Sequence, residues 1–362
     1  MWCVVCPSRA SNEQLWIHSK TVSSLNKLSS LFTKRLIAGL QLRVVFVPGH
    51  GIVRRESETS LKALYGQGNR EVFNRSGFRQ ALEERLKARA HGDGARIARD
   101  RKRVAFDRFL ARLALVASGS WLLKGGYALD LRLADLARST KDIDVDWSES
   151  EDELLDTLIE AAAFDAADFF TFRVERTNAP PDHLGGARRF RVTAELAGRL
   201  FEAFILDIGY CDDPVGRTDT LTTPDFLAFA GIEPVKVSVI ALTQQIAEKL
   251  HAYTRIYEGG KPSSRPKDLI DLVLIGGLFV IDAKQLQTDI TKIFQKRASH
   301  PIPTRLPSPP ATWNASFGQL AETIGIPSEL DSAYMFVSRL LDPILSGQVT
   351  SRTWQPDTEK WI

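Results

Sequence analysis

Apolar residues recur at helical spacing from Phe78 onward, first at Phe78, Leu82 and Leu86 and then at Val104, Phe106, Phe109, Leu110, Leu113 and Val116. Steps of three and four residues put such side chains on one face of a helix, so two amphipathic helices are predicted there. A different pattern follows. The apolar run at 121–123 reads as a short strand, Gly125 and Gly126 as a turn, Ala128, Leu129 and Leu133 as one helix face, and the chain from about Asp142 as a second strand. A helix over 151–163 precedes strands at 169–176, 189–195 and 201–210, with a Pro- and Gly-containing loop over 178–186. Beyond Thr222 the spacing turns helical: Val239, Leu242, Ile246 and Leu250, then Leu269, Leu272, Val273 and Ile275, then Leu286, Ile290 and Ile293. The proline cluster at 301–310 reads as an extended connector to two last helices, at 317–324 and 330–345.

Strands interleaved with helices, then helices alone, predict an α+β fold. Its core, a mixed sheet with flanking helices, is expected over 76–222, led by two helices, and a helical C-terminal domain over 223–362. Residues 1–75 show apolar runs such as 40–48 without a sustained period. They stay unassigned, read as a poorly ordered extension, an upstream stretch translated from a misplaced start, or the remnant of another module.

Composition changes this picture little. With 362 residues, 44% hydrophobic and 25% charged, the chain matches an ordinary globular protein large enough for two domains. It has no run approaching the roughly 18 apolar residues that span a bilayer. Met1 to Cys6 gives way at once to Pro7, Ser8 and Arg9, too soon for a secretory apolar region, so a cytoplasmic location and no membrane partner are expected. Cys3, Cys6 and Cys211 are an odd count with no second pair to complete a four-ligand zinc site. The net charge of +3 is too small to argue for nucleic acid, but residues 76–112 hold eleven Lys/Arg against five Asp/Glu. That stripe reads either as a solvated helix face or as a track for phosphates.

The candidate chemistry begins at Asp142-Ile143-Asp144-Val145-Asp146. On a strand this alternation sends the carboxylates to one face and the apolar residues to the other, at about 7 Å per same-face step. Hard carboxylate oxygens are what magnesium seeks, and without a cation such crowding raises carboxylate pKa values. An exposed edge strand blunted by charge has the same pattern. Asp207 is a lone acid in the apolar run at 204–209 and needs either a metal or a basic partner, for which Arg189 and Arg191 are available. Lys124-Gly125-Gly126 ends a strand where a helix begins, a place where backbone N–H groups face anions such as a triphosphate. The polar loop Arg138-Ser139-Thr140-Lys141 offers cations to phosphate or is a solvated turn.

Taken together, Lys124-Gly125-Gly126-Tyr127-Ala128-Leu129 and Arg138-Ser139-Thr140-Lys141-Asp142-Ile143-Asp144 closely resemble the AbiEii family of nucleotidyltransferase toxins. This family belongs to the DNA polymerase β-like superfamily and supplies the toxin halves of type IV toxin-antitoxin systems, linked to abortive infection. The resemblance extends to Asp207, to Gln245-Ile246-Ala247-Glu248-Lys249-Leu250 and to Arg265-Pro266-Lys267-Asp268-Leu269-Ile270-Asp271-Leu272, over roughly 78–345. It implies a polymerase β-like core in which Gly125 and Gly126 cradle phosphates and Asp142, Asp144 and Asp207 hold two magnesium ions, with manganese as a substitute. Asp207 would also activate the acceptor hydroxyl, Lys249 would bind phosphate and Asp271 would orient it. Lys124, Thr140, Lys267 and Asp268 complete the expected nucleotide site. Residue by residue, Lys249 either points at a cleft or snorkels to solvent, and His251 reads as a packing or surface residue rather than a ligand.

The substrates implied are a nucleoside triphosphate and an acceptor, with transfer RNA the first choice and a cognate antitoxin the implied partner. Small-molecule nucleotidyl transfer of the antibiotic-modifying kind, and an idle nucleotide- or RNA-binding module, are the competing expectations. The wider superfamily often has serine where this chain has Gly126, which removes one hydroxyl contact to phosphate.

Overall fold

A computed structural model describes residues 2–5, 14–17, 74–148, 151–177, 188–210, 217–257, 261–262 and 265–362. The chain divides into two compact units, Met1–Asn69 and Arg70–Ile362. In the first, strands β1 (Trp2–Val5) and β2 (Gln14–Ile17) pair antiparallel, Trp2 opposite Ile17. The rest of the unassigned stretch, up to residue 73, lies outside the described residues.

The second unit opens with the two predicted helices, α1 (Arg75–Ala90) and α2 (Gly94–Val116). Asn74 and Asp93 cap them, their side-chain oxygens accepting from Gly77 N and from Ala95 N and Arg96 N. Strand β3 (Trp121–Lys124) runs into helix α3 (Gly125–Leu133), and β4 (Asp142–Trp147) returns beside β3. After α4 (Glu151–Ala163) come β5 (Phe170–Arg176), β6 (Arg188–Leu196), β7 (Arg199–Tyr210), β8 (Thr218–Thr222) and β9 (Lys236–Ile240). They form one seven-stranded sheet in the order β5-β6-β7-β4-β3-β9-β8. The pairs β7/β4 and β3/β9 are parallel and the others antiparallel. The mixed sheet with flanking helices expected from the sequence is therefore present.

One element departs from expectation. The chain beyond Thr222 is not helical from its start, because Val239 lies on β9, paired with Leu123 of β3. In Lys236-Val-Ser-Val-Ile240 the buried Val237 and Val239 alternate with exposed Lys236 and Ser238, a period of two that the apolar spacing into the next helix masks. The predicted border at 222 therefore cuts through the sheet. Packing changes later: one apolar cluster gathers the sheet with α1, α2 and α4 as far as Val239, and from Ile246 onward the chain builds a second, which Leu129, Leu133 and Ala137 also join.

That second cluster is built by α5 (Leu242–Thr254), α6 (Pro266–Leu278), α7 (Ala283–Arg297), α8 (Asn314–Ile324) and α9 (Leu330–Leu345). A small ribbon of β12 (Ile281–Asp282), β13 (Thr353–Gln355) and β14 (Lys360–Trp361) seals it; β10 (Ile256–Tyr257) and β11 (Lys261–Pro262) pair separately. Helix α3 belongs to both clusters, with Tyr127 and Ala128 in the first and Leu129 and Leu133 in the second. The glycine turn at its N-terminus thus stands where the two cores meet. Among the described residues no helix is long and apolar enough to cross a membrane.

The basic stripe is neither a solvated face nor a phosphate track over most of its length. Arg112, fully buried, donates to both oxygens of Asp168 at 2.6 and 2.8 Å. Arg103 grips Asp130 at 2.7 and 3.1 Å, and Arg108 pairs with Asp107 at 2.7 Å. Arg79 and Arg101 donate to main-chain oxygens of Leu196, Arg199, Leu200 and Phe201, tying α1 and α2 to the β6–β7 hairpin. Helix α2 is buried on several sides, so its cations carry internal partners, as buried charges must.

Candidate active site

The site is assembled by register. Residues opposite one another in a ladder share a face, so Lys124 of β3, Asp144 of β4, Asp207 of β7 and Arg189 of β6 form one row across four neighbouring strands. Asp142 and Asp146 lie one same-face step to either side of Asp144, all three half-buried, while Ile143 and Val145 fill the core. The expected convergence of Asp144 and Asp207 is a direct cross-strand pairing in a parallel ladder.

Both ends of this row are closed by cations. Lys124 pairs with Asp146, over Gly209, where an added β-carbon would stand 3.2 Å from both groups. Burial alone would lower the Lys124 ammonium, but Asp146 and Glu248 outweigh it and hold it above its ordinary value. Lys124 is thus committed to the carboxylate row rather than held out for phosphate. At the other end Arg189 donates through Nε and Nη2 to both oxygens of Asp207, at 2.8 and 2.9 Å. The basic partner considered for Asp207 is therefore Arg189; Arg191, one same-face step along β6, is exposed and stands opposite Ile205.

Asp144 carries the electrostatic load. Burial first, then the charges of Asp142, Asp207 and Glu248, push its carboxyl up to about 7 against the pull of Lys124. A divalent cation relieves this crowding, and Asp142 with Asp144 supplies the hard oxygens magnesium prefers. The residues fit such an ion at this pair. Asp207 is not gathered with them, since Arg189 holds both its oxygens, and among the described residues no three His, Cys, Asp or Glu side chains surround a common point.

The glycine turn abuts the same carboxylates. Gly125 has φ +66°, and an added β-carbon would lie 1.9 Å from Asp144 Oδ2, so conformation and space both demand glycine. Gly126 faces Thr140, whose Oγ1 donates to Asp142 Oδ1 at 2.8 Å. Gln245 Nε2 donates to the Gly125 carbonyl at 2.8 Å, anchoring α5 to the turn.

A second charged knot lies on α5 and α6. Asp271, fully buried, accepts from Lys249 Nζ and from the Arg138 fork, Nε and Nη2 each at 2.9 Å. Burial alone would raise its carboxyl, but Lys249 and then Arg138 outweigh it and hold it below its ordinary value. Lys249 also lies 3.7 Å from Asp268, which pairs with Arg265 at 2.7 Å. The Lys249 ammonium is buried with acids rather than snorkelling. Arg138 reaches back toward the turn, its Nη2 3.8 Å from where a β-carbon on Gly126 would stand. Lys267 is half-buried nearby, its ammonium lowered by burial and by Arg265 and Arg138.

The residues of the expected metal and nucleotide sites thus fall into two neighbouring groups joined by Arg138 and Gln245. The contributions missed from the sequence are those of Asp146, Glu248, Gln245 and the Arg138–Asp271 link. Glu248 and Gln245 were visible only as members of the segment around Lys249. His251 is confirmed as a packing residue, edge-on to Phe294 at 4.9 Å between ring centres.

Comparison with known proteins gives one match to a family model, described as nucleotidyl transferase AbiEii toxin of type IV toxin-antitoxin systems, over residues 108–346. A search of curated proteins finds no match. Among solved structures, the nucleotidyltransferase toxin MenT4 from Mycobacterium tuberculosis is similar at 17% identity, covering 73% of this chain and 89% of that one, with a TM-score of 0.49. JHP933 from Helicobacter pylori is similar at 14% identity, covering 68% and 94%, with a TM-score of 0.40. An antigenic nucleotidyltransferase-like protein from Paracoccidioides brasiliensis is similar at 18% identity, covering 54% and 89%, with a TM-score of 0.34.

Proposed function

The chain belongs to the AbiEii family of nucleotidyl transferase toxins of type IV toxin-antitoxin systems, and from that premise we propose that it transfers a nucleotidyl group from a nucleoside triphosphate to the end of a transfer RNA. The observation that carries the reading is the row Lys124, Asp144, Asp207, with Asp144 packed onto Gly125 at the N-terminus of α3. Carboxylates that crowd one another beside an anion-binding turn suit a triphosphate brought in with its cation.

Asp142 and Asp144 would hold magnesium, or manganese in its place, and Asp207 would join them. When bound, the metal offsets charge on the phosphoryl oxygens and favours departure of pyrophosphate. The chain's own residues do the rest. Backbone N–H groups of the glycine turn and the start of α3 face the phosphates. Thr140 fixes the Asp142 carboxylate, and Asp271 aims Lys249 while taking up the charge of Arg138. The acceptor hydroxyl oxygen attacks the α-phosphorus, the bond to the β-phosphate oxygen breaks, and the hydroxyl proton passes to Asp207. Positioning and charge compensation are the protein's main contribution. The acceptor rests on the family resemblance, because the basic residues of α1 and α2 are largely consumed within the fold. A cognate antitoxin is the implied partner in the cell.

The test is incubation of purified protein with magnesium, each labelled nucleoside triphosphate and total transfer RNA, alongside the Asp142→Ala/Asp144→Ala double variant and a chelator control. Label on RNA with wild type and metal alone is the expected result. Label on small acceptors but never on RNA would move the reading to the antibiotic-modifying kind.

A further inference from the structure

The carbonyl of Gly125 accepts from Gln245 Nε2 at 2.8 Å. In a trans peptide the carbonyl oxygen and the next N–H point to opposite edges of one plane, so this bond also fixes the direction of the Gly126 N–H. The bond matters because the turn is loose by composition. Gly125 has φ +66°, and two successive glycines leave the peptide plane between them free to rotate unless something holds it. No side chain caps the N-terminus of α3, which begins at Gly125, so its first N–H groups are available to an anion. Gln245 is 1% exposed, and its Oε1 has no hydrogen-bond partner among the described residues, so the Gly125 carbonyl is what orients the amide. One turn further along α5, on the same face, stands Lys249, whose ammonium Asp271 holds. The glycine turn and Lys249 are thus set by one helix.

We propose that Gln245 is a positioning residue for the triphosphate: it locks the Gly125–Gly126 peptide plane so that the Gly126 N–H faces the phosphates. In this role its amide acts through the backbone rather than on the substrate. A plane held before the anion arrives removes the ordering cost that a mobile glycine pair would add to binding. This inference rests on the reading of the glycine turn as the triphosphate site.

The experiment is a calorimetric titration of the full chain with magnesium tripolyphosphate, at pH 8 and at pH 6. Wild type, Gln245→Met and Gln245→Glu are compared, each checked for folding by circular dichroism. Gln245→Met keeps the length of the side chain but has no N–H to donate. It is expected to bind about tenfold more weakly at both pH values, the scale of one hydrogen bond to an anion. The carboxyl of Gln245→Glu donates only when protonated, and burial raises the pH at which that happens. Its affinity relative to wild type should therefore be low at pH 8 and recover several-fold at pH 6. A side chain that merely fills space would leave that ratio unchanged. If wild type binds and both variants bind as tightly at both pH values, the inference about Gln245 is overturned and the triphosphate reading stands. A Gln245→Glu ratio indifferent to pH, with Gln245→Met weak, also overturns it, in favour of packing. If wild type itself does not bind, the reading of the turn falls and the inference with it. Should Gln245→Met not fold, the pH response of Gln245→Glu decides by itself; should Gln245→Glu unfold at pH 8, its affinity at pH 6 against that of Gln245→Met decides.

Discussion

The hydroxyl oxygen of Thr140 lies 2.6 Å from where a β-carbon on Gly126 would stand, and the Thr140 β-carbon lies at 3.1 Å. The same hydroxyl holds Asp142, so the second glycine of the turn is required by a loop that also sets a carboxylate. Gly126→Ala is expected to destabilise the protein by about 1–3 kcal/mol, the usual cost of overpacking. Adding Thr140→Ala should recover part of that loss, because it removes the nearer atom and leaves the farther one. Urea denaturation of the two variants checks this; a Gly126→Ala protein as stable as wild type would refute the geometry.

Asp144 should make the protein less stable as pH rises. Its native carboxyl titrates at about 7, far above the 3.8 of an unperturbed aspartate, so between these values the native state binds more protons than the unfolded state. The contribution is fully present at low pH and is lost as pH climbs through 7. Asp144→Asn should therefore match wild type near pH 4 and exceed it at pH 8 by an amount on the order of a few kcal/mol, while losing nucleotidyl transfer at every pH. Paired thermal melts at the two pH values, without metal, test it. An Asn variant less stable at pH 8 would show that the carboxylate is better tolerated than its surroundings suggest.

A relay at the end of α5 should behave in the opposite sense. Thr254 donates to the Leu250 carbonyl at 2.9 Å and so accepts from His300 Nε2 at 2.8 Å. His300 Nδ1 is then left to accept from Ser299, which in turn accepts from His251 Nε2. Both rings are neutral in this scheme. Burial, then His300, Arg297 and Arg255, lowers His251 to about 4. A depressed histidine stabilises the fold above its unfolded value of 6.5, and that contribution is lost as pH falls toward 4. Wild type should lose about 2 kcal/mol between pH 7 and pH 4.5 from this group, and His251→Gln should show a flatter profile in urea titrations. Equal slopes would place the acid sensitivity elsewhere.

The Arg112–Asp168 pair offers a test of where the basic stripe is spent. Both side chains are fully buried. Asp168→Ala strands a guanidinium and should cost about 3–5 kcal/mol, whereas the double variant Arg112→Met/Asp168→Leu should be much milder. A double-mutant cycle in denaturant measures the coupling. If Asp168→Ala is tolerated, Arg112 is not the internal anchor that its five hydrogen bonds indicate.

Much of the architecture was legible along the chain. The helix at 151–163 and the last helix at 330–345 match their predicted bounds, because long runs with a 3.6-residue period depend on local geometry. The alternation of Asp142 to Asp146 likewise fixes which side chains share a face, whatever lies next to the strand. The family itself was readable from short motifs around Gly125, Asp142, Asp207, Lys249 and Asp271, later matched over 108–346.

Other features depend on partners far away in sequence, and a residue's own neighbourhood carries no mark of them. β9 is a strand because Val239 meets Leu123, a pairing that a five-residue run next to a strong helix cannot announce. The cations of α2 are internal because Asp130 of α3 and Asp168, in the link between α4 and β5, are brought to Arg103 and Arg112. The choice of Arg189 over Arg191 for Asp207 follows from register alone, since the two arginines share a face of β6 but Arg191 stands opposite Ile205, and the meeting of Arg138 with Asp271 follows from the packing of α6. Local periodicity thus determined the elements and the candidate chemistry, while long-range pairing alone decided which charge neutralises which. Burial makes an unpaired ion too costly to leave without a partner, and only the folded chain brings that partner near.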